Sequence, residues 1–365
     1  MTGGDSIALE LLEGADGLDR LGEEWEALEG SSANHIFQTY AYAQLWMRTV
    51  GASSGATPVL VVGREDNRVV GIFPACRVRE NTMPLLAWLG GPSALDYGDV
   101  LFDTAGAHAS VDEFVGEALA LLSRYSHGAM LYLTNVRDDA TAIEPLRARM
   151  RVVKRSSAPY VPIEDTYDDY LASRGRSLRY NLNRKWRRLE SAGDVDAEML
   201  EPGDPEVVPT MARLVEFVRA RHHTAGDRTN LFDEAYVRLR TELAASHPAG
   251  RLSRIRVAGV TIAACLHAVH HDRLYCLVHG YDAEYATYSP GQLLHGFIVR
   301  TCFERAWDPC DLCWGDEPYK HEWTDLEEPL TSFVSDDARG AIYSTAMATG
   351  RRFAGATGSR RKKSR

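Results

Sequence analysis

The strongest constraint in this chain lies between residues 252 and 305. Three apolar segments, 252–257, 260–269 and 273–278, are separated by the two-residue turns Ala258-Gly259 and His271-Asp272. Turns that short join neighbouring antiparallel strands, so a three-stranded meander is predicted. A loop over 280–290, a helix over 291–305 and a strand over 310–314 follow. Strands, then a helix, then a further strand make an α/β (α+β) unit whose sheet is mixed and mostly antiparallel.

The rest of the chain is too long for that core. A total of 365 residues exceeds what one hydrophobic core usually serves. The N-terminal half reads as a strand at 7–12, helices at 18–28 and 40–50, and strands at 58–63 and 69–78 around Glu65-Asp66-Asn67. After the loop Gly90-Gly91-Pro92 come a helix at 111–125 and a short strand at 129–133. A second unit begins near residue 150. It has a strand ending at 161–163, a long helical region at 167–192, and helices at 205–220 and 233–245. Two tandem domains are therefore expected, at 1–150 and 151–345, each a central sheet flanked by helices, with a basic, disordered tail at 346–365. Each half contains a strand hairpin followed by a helix and a strand, as distant copies of one fold would.

Several classes are excluded. Charged residues at 25% and apolar ones at 45% are those of a soluble globular protein. There is no run of eighteen apolar residues, and the start Met1-Thr2-Gly3-Gly4-Asp5-Ser6 is unlike a signal peptide, so a cytoplasmic location without a membrane partner is expected. The six cysteines sit mostly in apolar segments and read as buried free thiols. Cys310-x-x-Cys313 lacks a second pair or spaced histidines, and the other histidines look scattered, so no metal is expected. Trp307, Trp314 and Trp323 read as core. A net charge of −10 argues against a general nucleic-acid coat. Against that balance, Arg174, Arg176, Arg179, Arg184, Lys185, Arg187 and Arg188 form a run without an acid. Leu178, Leu182, Trp186 and Leu189 share its apolar face, which leaves Arg179, Arg184, Arg187 and Arg188 facing outward, suited to phosphate groups.

The junction Tyr288-Ser289-Pro290-Gly291-Gln292 opens the 291–305 helix. Proline suits a first helical turn, glycine lets a ligand approach the backbone, and the unpaired N–H groups there favour an anion. Either a capped helix start or a pyrophosphate site fits these residues.

Gly280-Tyr281-Asp282-Ala283-Glu284-Tyr285, then Tyr288-Ser289-Pro290-Gly291, then Gly315-Asp316-Glu317-Pro318-Tyr319-Lys320 with Trp323, resemble the signature of the CelD/BcsL-type acetyltransferase domain. That subgroup of the GNAT superfamily is related to the Fem peptidyltransferases. The resemblance spans roughly 155–330 and includes Ser177 to Lys185. It implies two GNAT-like domains, the second catalytic. It also implies acetyl-CoA or another acyl-CoA as donor, lying along Cys276, Leu277 and Val278, with its pyrophosphate at Ser289, Pro290, Gly291 and Gln292. The acceptor would be an amine on a small molecule, sugar or peptide, held by Arg179, Asn183, Lys185, Tyr285, Lys320 and Trp323. Acyl transfer needs a base for the amine proton, so Asp282, Asp316 and Glu317 at the strand ends are candidates. Tyr281 or Tyr319 could protonate the departing thiolate. The sequence departs from the common GNAT pattern: Ser-Pro-Gly replaces the glycine-rich loop. Fem-type relatives also lack that loop and use aminoacyl-tRNA, which is the alternative donor. A non-catalytic binding protein is the alternative of another class.

Overall fold

The computed structural model describes residues 7–80, 83–174, 176–225 and 233–345; the expected tail lies outside the described residues. In chain order the elements are β1 (Ala8–Glu13), α1 (Gly14–Arg20), α2 (Gly22–Glu29), α3 (Tyr40–Trp46), α4 (Ala52–Ser54), β2 (Thr57–Glu65), β3 (Arg68–Glu80), β4 (Met83–Trp88), β5 (Leu101–Phe102), α5 (Val111–Tyr125), β6 (Met130–Arg137), α6 (Ile143–Arg149) and β7 (Met150–Val161). There follow α7 (Tyr167–Ser173), α8 (Arg176–Glu190), β8 (Val195–Leu200), α9 (Val207–Ala225), α10 (Glu234–Ser246), β9 (Gly250–Val257), β10 (Val260–His270), β11 (Arg273–Tyr281), α11 (Pro290–Arg305), β12 (Cys310–Asp311) and β13 (Glu327–Ser335). Two compact units result. One comprises Met1–Tyr40, Ser54–Ser156 and Pro329–Arg365; the other comprises Ala41–Ser53 and Ser157–Glu328. The expected division into consecutive halves differs from this at two segments. Residues 41–53 join the second unit, where the turn after α3 packs on α10 and Arg48 meets Glu242 at 3.0 Å. Residues from 329 onward join the first, where β13 pairs with β6.

The first unit orders its strands β1-β2-β3-β4-β6-β13, antiparallel except for the parallel pair β4 and β6. The β2–β3 turn is Asp66-Asn67, with φ of 46° and 67°, the left-handed pair that a tight hairpin requires. Gly63 and Gly71 face each other in the register, and Phe114 of α5 lies over them. A side chain at either glycine would meet the ring at 3.0 Å or less. This close approach docks α5.

The second unit orders its strands β7-β12-β11-β10-β9-β8, with only β11 and β12 parallel. Its tight turns, Ala258-Gly259 and His271-Asp272, have positive φ throughout, as their length demands. Gly280 of β11 faces Leu214, Phe217 and Val218 of α9. The opposite sheet face carries Ala263, Cys265 and Cys276 into one core with Leu178, Leu182 and Leu189 of α8 and Leu293, Leu294 and Ile298 of α11. The basic run thus buries its leucines as its spacing predicts. The helical region expected over 167–192 is two helices: α7, capped by Thr166, ends at Ser173, and α8 begins at Arg176. All six cysteines are free and buried. Among the described residues, no helix is long and apolar enough to cross a membrane.

Arg254 of β9 pins three elements together. Its side chain, 3% exposed, pairs with Glu198 of β8 at 2.7 Å and Glu206 at 2.8 Å, and donates to Thr210 of α9 at 2.9 Å. Arg254→Ala leaves both carboxylates at the water boundary, so the loss is that of the hydrogen bonds and the packed stem. Urea unfolding is expected to show about 2 kcal/mol less stability.

Candidate functional site

β11 and β12 run side by side for two residues only, Leu274 with Cys310 and Tyr275 with Asp311. The chain after β12 then follows β7 instead: Leu312 N–H donates to the Pro159 carbonyl and Gly315 N–H to that of Ser157. The strand expected over 310–314 is short for this reason. From Cys276 onward β11 and the chain after β12 diverge, and a wedge opens beside β11. Within that stretch the register on β10 slips, so that His267 faces Cys276 and Leu266 faces Val278, with Leu277 bulged out. A bulge reverses the alternation of side chains. Cys276, His279 and Tyr281 therefore share the face that looks at α11. Strict alternation would send His279 to the other face, and in the sequence it counts only among the scattered histidines.

Three rings meet at the wedge. His279 lies 5.0 Å from His295 of α11 and 4.8 Å from Tyr319, centroid to centroid; His295 and Tyr319 are 4.9 Å apart. Tyr319 Oη stands 3.5 Å from His279 Nδ1. His295 Nδ1 lies 2.8 Å from the Gly291 carbonyl, which only accepts, so Nδ1 carries the proton. Burial, with Lys320 adding, pushes the His295 pKa down to about 4, against the pull of that carbonyl. Burial, then His295 and nearby cations, hold His279 well below the imidazole range. Burial, with Glu317 adding, holds the Tyr319 phenol well above its ordinary value. At neutral pH the cluster is two neutral imidazoles and a protonated phenol.

The start of α11 borders the wedge. Ser289 adopts a left-handed conformation (φ 58°, ψ 50°) and its hydroxyl makes no cap. Pro290 has no N–H and the Gln292 N–H is engaged by the Ser289 carbonyl at 3.1 Å, which leaves Gly291 as the remaining donor of that turn. No acidic residue occupies the turn. Lys185 of α8 donates to Gln292 Oε1, and Gln292 Nε2 donates to Glu322. Arg188 lies 5.3 Å from the Tyr288 ring centre. Tyr281 covers Gly291 so closely that a Cβ there would sit 3.2 Å from its ring.

The loop after β12 is wound about one ammonium group. Lys320 Nζ donates to the carbonyls of Cys313, Trp314 and Gly315 at 2.9, 3.0 and 3.1 Å and pairs with Glu317 at 3.0 Å, while its side chain is 3% exposed. Lys320 is thus enclosed by the loop that presents Tyr319. Trp323, 1% exposed, is a core residue against Gly296, and its carbonyl accepts from Tyr170. The carboxylates each meet a cation or imidazole: Asp282 meets Arg213 at 3.2 Å, Asp316 meets His321 at 2.5 Å, and Glu317 meets Lys320. Asp282 also caps the turn 283–288 by accepting from the Glu284 N–H. Arg179 pairs with Asp168 at 3.4 Å, Asn183 is exposed on α8, and Tyr285 packs beside Tyr288. The structure therefore gathers Cys276, Leu277, Tyr281, Gly291, Gln292, Lys185 and Tyr319 around the wedge and adds His279, His295 and Glu322. The side chains of His222 and His223 lie outside the described residues.

Residues 176–321 match the model of a family described as the acetyltransferase (GNAT) domain, so the chain carries a GNAT-type domain over the wedge and its flanking helices. Among solved structures, FemX is similar with a TM-score of 0.60 at 12% identity, over 86% of this chain and 95% of that one. The C-terminal domain of a lysylphosphatidylglycerol synthetase candidate from Agrobacterium fabrum gives 0.58 at 13%, over 92% and 96%. A conserved protein of unknown function from Bacteroides thetaiotaomicron gives 0.54 at 9%, over 87% and 97%. At these identities the likeness is one of fold. No curated protein is significantly similar in sequence.

Two outcomes follow from the geometry. Lys320→Met strips the loop carbonyls of their donor and is expected to lower stability by about 3 kcal/mol in thermal or urea unfolding. His295 has its folded pKa below its unfolded one, so its contribution is present above pH ~6.5 and fades as pH falls toward ~4, where the unfolded chain binds the proton first. Unfolding measured between pH 7 and 5 is expected to lose up to ~1.4 kcal/mol per pH unit to this group, and a His295→Phe variant is expected to show a shallower slope.

Proposed function

We propose that the second unit is an acyl-CoA-dependent N-acyltransferase with its reaction centre in the wedge beside β11. The observation that carries this reading is the divergence of β11 from the chain after β12, with Leu277 bulged, next to a helix start free of acidic residues, within the segment that matches the acetyltransferase domain. A bulged strand edge offers backbone groups to a thioester arm, and the Ser289–Gln292 turn, with Lys185 beside it, suits the pyrophosphate. In the first unit, α5 opens with Asp112 and Glu113, which repel an anion and support a structural role there.

In this reading the amine nitrogen bonds to the thioester carbon and the carbon–sulfur bond breaks. The thiolate takes the Tyr319 proton, and the amine proton returns to Tyr319 through the neutral His279 imidazole. Asp282, Asp316 and Glu317 then serve the shape of the site, since each already holds a side-chain partner. The acceptor is an amine on a small molecule, a peptide or a sugar. A second reading, with aminoacyl-tRNA as donor, is favoured by one observation: the outward Arg184, Arg187 and Arg188 of α8 are all exposed, and Arg188 lies over Tyr288.

Calorimetry with acetyl-CoA tests the donor. The wild type is expected to bind in the micromolar range and Gly291→Glu to lose binding. Gly291→Ala, which crowds Tyr281 without adding charge, is expected to keep most of it. With an amine acceptor, Tyr319→Phe is expected to slow free-thiol release roughly 100-fold or more while donor binding persists. Absence of binding at any acyl length, with retention of charged tRNA on a filter, would select the second reading.

A further inference from the structure

Behind the wedge, three further donors converge on one spot. Cys265 and His267 lie on one face of β10, and Cys276 stands opposite His267 across the β10–β11 ladder. The register set by the His271-Asp272 turn produces that facing, and the slip begins only beyond it, where Leu266 faces Val278. One ligand atom from each residue lies within 4.8 Å of the other two. Exposure is 0%, 0% and 9% respectively. Cys265 Sγ lies 3.7 Å from His267 Nδ1, and His267 Nε2 lies 3.1 Å from Ser253 Oγ of β9. The ring is thus oriented from behind by a hydroxyl while its other nitrogen faces the sulfurs, the arrangement by which proteins aim a histidine at a metal.

We infer that Cys265, His267 and Cys276 bind a thiophilic metal ion of the zinc class within the core of the second unit. With usual bond lengths of about 2.3 Å to sulfur and about 2.0 Å to nitrogen, the 3.7 Å separation subtends roughly 119° at the ion, within about 10° of the tetrahedral angle. Binding releases one proton from each thiol. Two thiolates and one neutral imidazole then balance a divalent charge, so the site stays neutral in an apolar core. A harder cation that prefers oxygen ligands fits none of these donors. The Cys310 thiol interacts with that of Cys276 but lies outside this group of three donors. The ion would tie β10 to β11 just before the bulge and so brace the strand that carries His279. It is a structural ion in this reading, and the inference does not depend on the donor proposed above.

The test uses the full chain, expressed with added zinc, purified and assayed by plasma mass spectrometry. About one zinc per chain is expected, together with a chelator-dependent drop in melting temperature. Cobalt loading is expected to give thiolate charge-transfer and tetrahedral bands. Cys265→Ser and Cys276→Ser are expected to abolish the cobalt spectrum, while Cys76→Ser, in the other unit, keeps it. A folded wild type that holds no zinc, gives no cobalt bands and melts identically with and without chelator would overturn the inference and leave a hydrogen-bonded thiol cluster. Because the wild-type measurements decide this, a variant that fails to fold does not rescue it.

Discussion

Everything distinctive in the second unit depends on a backbone constraint: β11 has a pairing partner on its β12 edge for only two residues. Past Tyr275 the chain after β12 hydrogen-bonds to β7, and β11 is left to line a wedge. An unpaired strand edge is costly in a core unless its polar groups are met by something else. Aromatic rings meet at the opening, and the bulge at Leu277 interrupts the pairing with β10. The same slip sets which side chains enter, bringing His279 and Tyr281 to the face of α11.

Electrostatics then hold the wedge in shape. The Lys320 ammonium organises the loop of residues 313–317 by gathering three carbonyls and a carboxylate, so a buried charge is fully partnered. That loop fixes Tyr319 against His279 and His295. Burial, with Lys320 adding to it, keeps both imidazoles uncharged. Lys185, Gln292 and Glu322 link α8, the first turn of α11 and the turn before Trp323 by side-chain hydrogen bonds.

The two units share an order of parts: three antiparallel strands, a helix and a strand parallel to the third. In the first it is β2-β3-β4, α5, β6; in the second, β9-β10-β11, α11, β12. Their helix starts differ in chemistry. Ser110 caps α5 with its hydroxyl and two acids fill its first turn, whereas α11 begins at an uncapped left-handed serine followed by proline and glycine. One helix start is capped by its own serine, and the other is held by side chains of neighbouring elements, Lys185 and Glu322 through Gln292.

Local signals were enough for the meander over 250–281, its two tight turns, α5, α9, α10, α11 and the buried leucine face of α8, because each rests on periodicity or turn stereochemistry within a few residues. The sequence alone also singled out the Ser289–Gln292 turn and Tyr319. It did not yield β8, β13 or the full length of β7, whose side chains alternate weakly and whose pairing partners are distant. Nor did it yield the seat of residues 41–53, whose apolar side chains specify burial but not against which partner. Lys320 and Trp323 looked like ligand contacts in a linear motif and are instead enclosed, since a motif records spacing and not direction. His279 was hidden for the same reason: a single register slip reverses which face it occupies. Local chemistry therefore determined the elements and the position of the α11 start. Only tertiary pairing decided where β11 loses its neighbour, which way its side chains point, and hence what lines the site.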